Sequence, residues 1–166
     1  MSMLGVPVRS DVVDVYPFRR VPNAGGVEFL QLLRATEPLL NTWHPVMGHM
    51  HEGETAAQTA LRELGEEVGL KRGDAGLVRM WALEQVHPFF IAGLNCIVLS
   101  PRFVVEVAAG WQPVLNEEHS ALRWVRGDEP NRFVWPGQRA AVAEVMQGIL
   151  RGGEVMGPLV EIDVRE

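Results

Sequence analysis

The chain has 166 residues, is 47% hydrophobic and 22% charged, and carries a net charge of −6 with a pI near 5.4. That composition suits one globular domain with a proper core, and it excludes a surface built to wrap a nucleic-acid backbone, which needs clustered Lys and Arg. It leaves room for a small phosphorylated substrate reached through a metal ion.

The N-terminal MSMLGVPVRS lacks a basic stretch followed by a long apolar core, so no signal peptide is expected there. DVVDVYPF (Asp11 to Phe18) is β-branched and strand-like, and VEFLQLLR (Val27 to Arg34) is its expected neighbour across the turn-rich VPNAGG. TWHPVMG is expected to be one short extended piece ending at Gly48. ETAAQTALRELGEEVGL is the clearest helix: Thr55 caps it, Gln58 completes a capping box, and Gly69 stops it. Ala57, Ala60, Leu61, Leu64 and Val68 form its apolar stripe.

Strands are expected around Val78 to Val86, Asn95 to Val105 and Ala121 to Val125. A last amphipathic helix is expected from Pro136 to Leu150, with Ala140, Val142, Val145, Met146 and Ile149 on its apolar face. PLVEIDV (Pro158 to Val164) alternates like an edge strand, or like a strand that pairs with a second subunit, and a frayed terminus is the equal alternative. The single cysteine, Cys96, lies in the apolar run NCIVL and is expected in the core. PFFIAGLNCIVL is the longest apolar stretch and too short to span a bilayer, so the protein is expected in the cytoplasm.

Glu63, Glu66 and Glu67 stack on one face of the expected helix, where like charges cost about 0.2–0.5 kcal/mol per pair. A solvated acidic face explains neither Gly48 nor Arg62; a bound cation explains the convergence. Gly48 to Leu70, GHMHEGETAAQTALRELGEEVGL, carries Gly48, Glu54, Arg62, Glu63, Leu64, Glu66, Glu67, Gly69 and Leu70 at the fixed positions of G-x5-E-x7-R-E-U-x-E-E-x-G-U, U being aliphatic. This resembles the Nudix box, and more weakly the likeness extends from about Val8 to Leu150.

The resemblance implies an α/β fold, a Nudix-type α/β/α sandwich with a mixed β-sheet, here one domain over residues 1–166 with the box at 48–70 and a C-terminal tail at 151–166. It implies hydrolysis of a diphosphate linkage with Mg²⁺, or Mn²⁺ in its place. Oxygen ligands suit Mg²⁺, and a divalent ion neutralises phosphate oxygens and acidifies the attacking water. The metal ligands it implies are Glu63, Glu66, Glu67, a backbone carbonyl at Gly48, and an acid from a later loop. NEEHSALRWV resembles that loop, which gives the role to Glu118 ahead of Glu117. Arg62 is expected to orient a glutamate, with Glu54 as partner.

LLR before the box and TWHPVMG leading into it resemble the subgroup that acts on nucleoside triphosphates and dihydroneopterin triphosphate. There the position of Arg34 and residues just before the box glycine contact substrate. Arg34 is thus a phosphate fork, Trp43 a wall of the base pocket, and Met47 a neighbour of the substrate. Met47 stands where the dihydroneopterin enzymes have threonine. The ADP-ribose subgroup places a proline closer behind its box than Pro88 stands here.

The expected reaction turns a nucleoside or pterin triphosphate into monophosphate and pyrophosphate. The alternatives are an ADP-ribose or dinucleoside polyphosphate pyrophosphatase, or a non-catalytic nucleotide-binding module, which would break the box that is whole here. Small-molecule phosphates are the expected partners, without nucleic-acid polymer or membrane, and the chain is expected as monomer or homodimer. His44, His49 and His51 lack zinc-site spacing and are expected to face solvent or line a pocket; His119 is expected to help position Glu118.

Overall fold

The computed structural model describes residues 5–23, 25–151 and 156–165. The expectations for residues 1–4 and for the glycine-rich 152–155 fall outside them. In chain order the elements are β1 (Val8–Arg9), β2 (Val12–Arg20), β3 (Val27–Arg34), β4 (Trp43–His44), β5 (Val46–His49), α1 (Ala56–Val68), β6 (Leu77–Ala82), β7 (Phe89–Ile91), β8 (Cys96–Val98), β9 (Arg102–Val107), β10 (His119–Arg126), α2 (Pro136–Glu144), α3 (Met156–Val160) and β11 (Glu161–Ile162).

The main sheet runs β10-β3-β2-β9-β6-β11, with β4 on β3 and β5 on β2. Only β2 and β9 pair in parallel within it, so the sheet is mixed. Both faces are covered. Val13, Val15, Leu30, Leu32, Val46, Phe103 and Val105 pack on one side against Ala60, Leu64 and Val68 of α1. Tyr16, Phe18, Phe29, Val104 and Val125 pack on the other against Ala141, Val142, Val145 and Ile149. A strand buried on both faces reads as a continuous apolar run, which is why VVDVY shows no alternation. Leu64, Val68 and Leu70 are wholly buried, each contributing about 1.5–3 kcal/mol.

Several expected boundaries move. The helix run Pro136 to Leu150 is α2 followed by a π-helical turn over Val145–Ile149, where the Leu150 N–H donates to the Val145 carbonyl at 3.0 Å. The buried stripe is Gln138, Ala141, Val142, Val145 and Ile149, at ordinary helical spacing, and Ala140, two residues before Val142, lies off it and is half-buried.

Asn95 to Val105 is two strands in two sheets: β8 joins β1 and β7 in a small sheet, and β9 joins the main one. Pro101, which has no N–H to donate to a ladder, marks the break. The strand placed at Val78 to Val86 ends at Ala82, and Val86 is exposed. TWHPVMG likewise divides at Pro45 into β4 and β5, each pairing with a different strand. The tail forms an edge strand: Glu161 and Ile162 pair with Trp81 and Met80 of β6, and Arg79 donates to the Glu161 carboxylate at 2.9 and 2.7 Å.

Candidate active site

α1 begins as its sequence dictates. The Gln58 N–H donates to Thr55 Oγ1 at 3.3 Å, and the Thr55 N–H donates to Gln58 Oε1 at 2.8 Å. It ends at Gly69 with φ of 71°, in the left-handed region. Between these caps, Glu63 and Glu67 lie on the buried face beside Thr59 and Leu64, while Glu66 stays exposed.

Arg62 ties the box together. Its Nε and Nη2 donate to the two oxygens of Glu54 at 2.9 and 3.1 Å, Nη1 donates to Glu63 at 2.7 Å and to Glu66 at 3.1 Å, and Nη2 also donates to the His49 carbonyl at 2.8 Å. The pairing with Glu54 is the one expected. Glu54 also accepts from the His51 N–H and Thr59 Oγ1, both at 2.9 Å, and the Arg62 guanidinium above all holds its carboxyl down to about 2.

Glu67 is in the opposite situation. It is only 2% exposed, and its one hydrogen bond is a long 3.4 Å donation from the Met47 N–H. Burial, then the neighbouring Glu63 carboxylate, push it up to about 9. Burial also raises Glu63 despite Arg62. Gly48, on β5, has no room for a side chain: the Glu63 carboxyl group occupies the space where a Cβ would stand.

The loop acid arrives from the other side. Glu118 precedes β10, and its carboxylate accepts from Arg34 Nη1 at 2.6 Å. Two residues assigned separately from the sequence, one to metal and one to phosphate, therefore engage each other. Glu117 is exposed.

His44 is not solvent-facing or pocket-lining: it is buried, because its pairing with Leu32 turns it into the α1 side of the sheet. Its ring lies 5.2 Å from that of His119, whose Nε2 points at Glu67 across 3.9 Å. Burial holds His44 below its ordinary range and takes His119 down to about 4. His119 meets Glu118 only indirectly, since the Asn116 side-chain oxygen takes both the Glu118 N–H and the His119 Nδ1, each at 3.1 Å. His49 and His51 are exposed.

Trp43 is not gathered with the acids, and Met47 reaches them only through its main-chain N–H, which donates to Glu67. Trp43 lies under the Arg123 guanidinium at 4.2 Å, and its carbonyl accepts from Gln138 of α2. Met47 pairs with Asp14, whose neighbours Tyr16 and Phe18 face α2. A polar network continues there: the Gln31 side-chain amide donates to the Gln138 oxygen at 3.1 Å, Arg123 donates to the Gln31 oxygen, and Arg102 sits 3.6 Å from Asp14. Sequence reasoning missed this network. Its one visible signal is a polar residue inside each apolar strand, Gln31 in FLQLLR and Arg123 in LRWV.

Among the described residues, no three His, Cys, Asp or Glu side chains already stand around one ion position. The donor chemistry nevertheless fits a hard divalent cation. Glu63, Glu67 and Glu118 offer only oxygen, and Glu67 is a buried carboxyl group met by one long hydrogen bond, from the Met47 N–H. Glu63, Glu66, Glu67 and Glu118, with the Gly48 carbonyl, would hold such an ion, Glu63, Glu66 and Glu118 by turning from their arginines.

The NUDIX domain matches residues 13–145 of the chain. Bis(5′-nucleosyl)-tetraphosphatase (asymmetrical) of Sus scrofa is 33% identical over 112 residues, covering 62% of this chain and 67% of that protein. The solved Ap4A hydrolase binary complex of C. elegans superposes with a TM-score of 0.67 at 20% identity, over 87% of this chain and 99% of that one. The dihydroneopterin triphosphate pyrophosphohydrolase of E. coli does so with a TM-score of 0.64 at 23% identity, over 80% and 92%. At those identities the two structures speak for the fold, the sandwich expected from the sequence. The chain belongs to the Nudix hydrolase family and is a pyrophosphohydrolase of that family, whose members work with a divalent metal ion.

Proposed function

We propose that the protein hydrolyses a phosphoanhydride within a nucleoside 5′-polyphosphate, with a dinucleoside tetraphosphate as preferred substrate and Mg²⁺ as its ion. The observation that carries this substrate is the likeness to the Sus scrofa tetraphosphatase, 33% identical over 112 residues. Glu63, Glu66, Glu67 and Glu118, with the Gly48 carbonyl, form the metal-binding set. Arg62 fixes Glu63 and Glu66 from one end while Glu54 holds Arg62 from the other. Bound there, a divalent ion neutralises phosphate charge and acidifies the attacking water. Arg34 binds phosphate, and Trp43 and Met47 are assigned to the base.

A second reading, a mononucleoside or pterin triphosphate giving monophosphate and pyrophosphate, is favoured by LLR ending in Arg34 and by TWHPVMG. The test is kcat/KM for diadenosine tetraphosphate, ATP, dihydroneopterin triphosphate and ADP-ribose, with products resolved by phosphorus NMR in ¹⁸O-water. The tetraphosphate should lead and give ATP plus AMP, the label marking the attacked phosphorus. A higher constant for either triphosphate establishes the second reading, and a higher one for ADP-ribose removes both.

A further inference from the structure

Glu118 and Arg34 are placed so that neither can do its expected work while they are paired. The Nη1–Oε2 distance of 2.6 Å makes this a short, charge-assisted contact. The main chain of Glu118 is independently fixed: its carbonyl accepts from the Ala35 N–H at 2.8 Å, and its N–H donates to Asn116 at 3.1 Å. Only the side chain needs to turn for the carboxylate to leave Arg34. That carboxylate is already near the acidic cluster, where its charge is among those opposing ionisation of Glu67 and Glu63.

The pair is poised to exchange. The Glu118 side chain is 45% exposed against 22% for Arg34, so the carboxylate can turn away through solvent while the guanidinium stays in place. Arg34 Nε is buried with no acceptor, so its present position leaves a donor unmet. A phosphate offers Arg34 several anionic oxygens in place of one.

We infer that the Arg34–Glu118 pair is a latch: in the free enzyme Arg34 withholds Glu118 from the metal site, and the substrate's phosphate takes Arg34 and frees Glu118 to complete it. This rests on the proposed metal role of the α1 glutamates. Arg34 then couples metal affinity to substrate binding, and that coupling is reciprocal. The order of assembly follows: the site is complete only when phosphate is present to be cleaved.

The experiment is Mn²⁺ binding to the full chain, read by electron paramagnetic resonance, for wild type, Arg34→Met, Glu118→Gln and the double variant, with folding checked by circular dichroism. Without nucleotide, Arg34→Met should tighten Mn²⁺ about tenfold, Glu118→Gln alone should leave it near wild type, and the double variant should match Glu118→Gln. Equal tightening by Arg34→Met in both backgrounds means simple charge removal and overturns the latch. A clear loss of Mn²⁺ affinity in Glu118→Gln relative to wild type also overturns it, because Glu118 is then engaged already. A saturating non-hydrolysable nucleotide should tighten Mn²⁺ about tenfold more in wild type than in Arg34→Met; an equal effect in both contradicts release by phosphate. Glu67→Gln separates the two levels. If it leaves Mn²⁺ affinity unchanged, the metal role itself fails; if it weakens binding while the cycle shows no coupling, only the latch fails.

Discussion

Gly48 and Glu63 compete for one place: the Glu63 carboxyl group fills the volume that any side chain at position 48 would need. The box glycine thus serves the glutamate directly, by letting β5 lie against α1 at the point where Glu63 turns toward Arg62. Gly48→Ala must push Glu63 off Arg62 or β5 off Val13, its partner in β2. Its kcat should fall about a hundredfold, with a stability loss of about 1–3 kcal/mol from overpacking, measured by steady-state kinetics and urea unfolding. Full activity in Gly48→Ala would show that Glu63 need not stand where the structure has it.

Glu67 makes the metal-free protein sensitive to alkali. Its folded-state value near 9 lies above its ordinary 4.5, so the folded state holds the proton more tightly than the unfolded chain. The stabilising contribution is complete below about pH 4.5 and is lost as the pH rises through about 9. In EDTA, the urea midpoint should fall between about pH 5 and pH 9, and Glu67→Gln should flatten that fall. Mg²⁺ should stabilise wild type increasingly with pH, because its ligand must lose the proton. A metal-free midpoint that rises over this range, with wild type and Glu67→Gln alike, would contradict the placement of Glu67.

Asp14 predicts a second pH effect on the opposite face. Burial raises its carboxyl from 3.8 to about 6, against the attraction of Arg102. Wild type therefore loses stability as the pH rises through about 6, and Asp14→Asn does not. The stability difference should move in the variant's favour by about 1–2 kcal/mol from pH 5 to pH 8. Parallel curves for the two proteins over that range would show Asp14 to be better solvated than its 6% exposure implies.

The box was legible because its physics is local. Capping box, helix period and left-handed Gly69 each lie within one helix, and so do the Arg62 contacts to Glu63 and Glu66. What remained hidden depends on pairing between distant strands. His44 is buried because β4 pairs with β3, and it meets His119 because β10 flanks the same strand. The Arg34–Glu118 pair arises from that second pairing too, which sets His119 opposite Arg34. The split at Pro101 was signalled by the proline itself, yet only the topology shows that the two halves enter different sheets. Ala140 lies off the stripe for a local reason: it stands two residues before Val142, and helical spacing through Val142, Val145 and Ile149 passes through Ala141 instead.

The central claim is that α1 presents a metal-binding carboxylate at Glu67, and turnover of Glu67→Gln at saturating Mg²⁺ tests it most directly. Gln preserves the side-chain shape and most of the helix propensity, so the fold survives and circular dichroism should match wild type. The amide cannot supply the anionic oxygen that a hard cation needs. The account predicts kcat lower by several orders of magnitude, roughly 4 kcal/mol or more in transition-state stabilisation. Turnover near wild type in the folded variant would contradict it, and would remove the metal site from this helix.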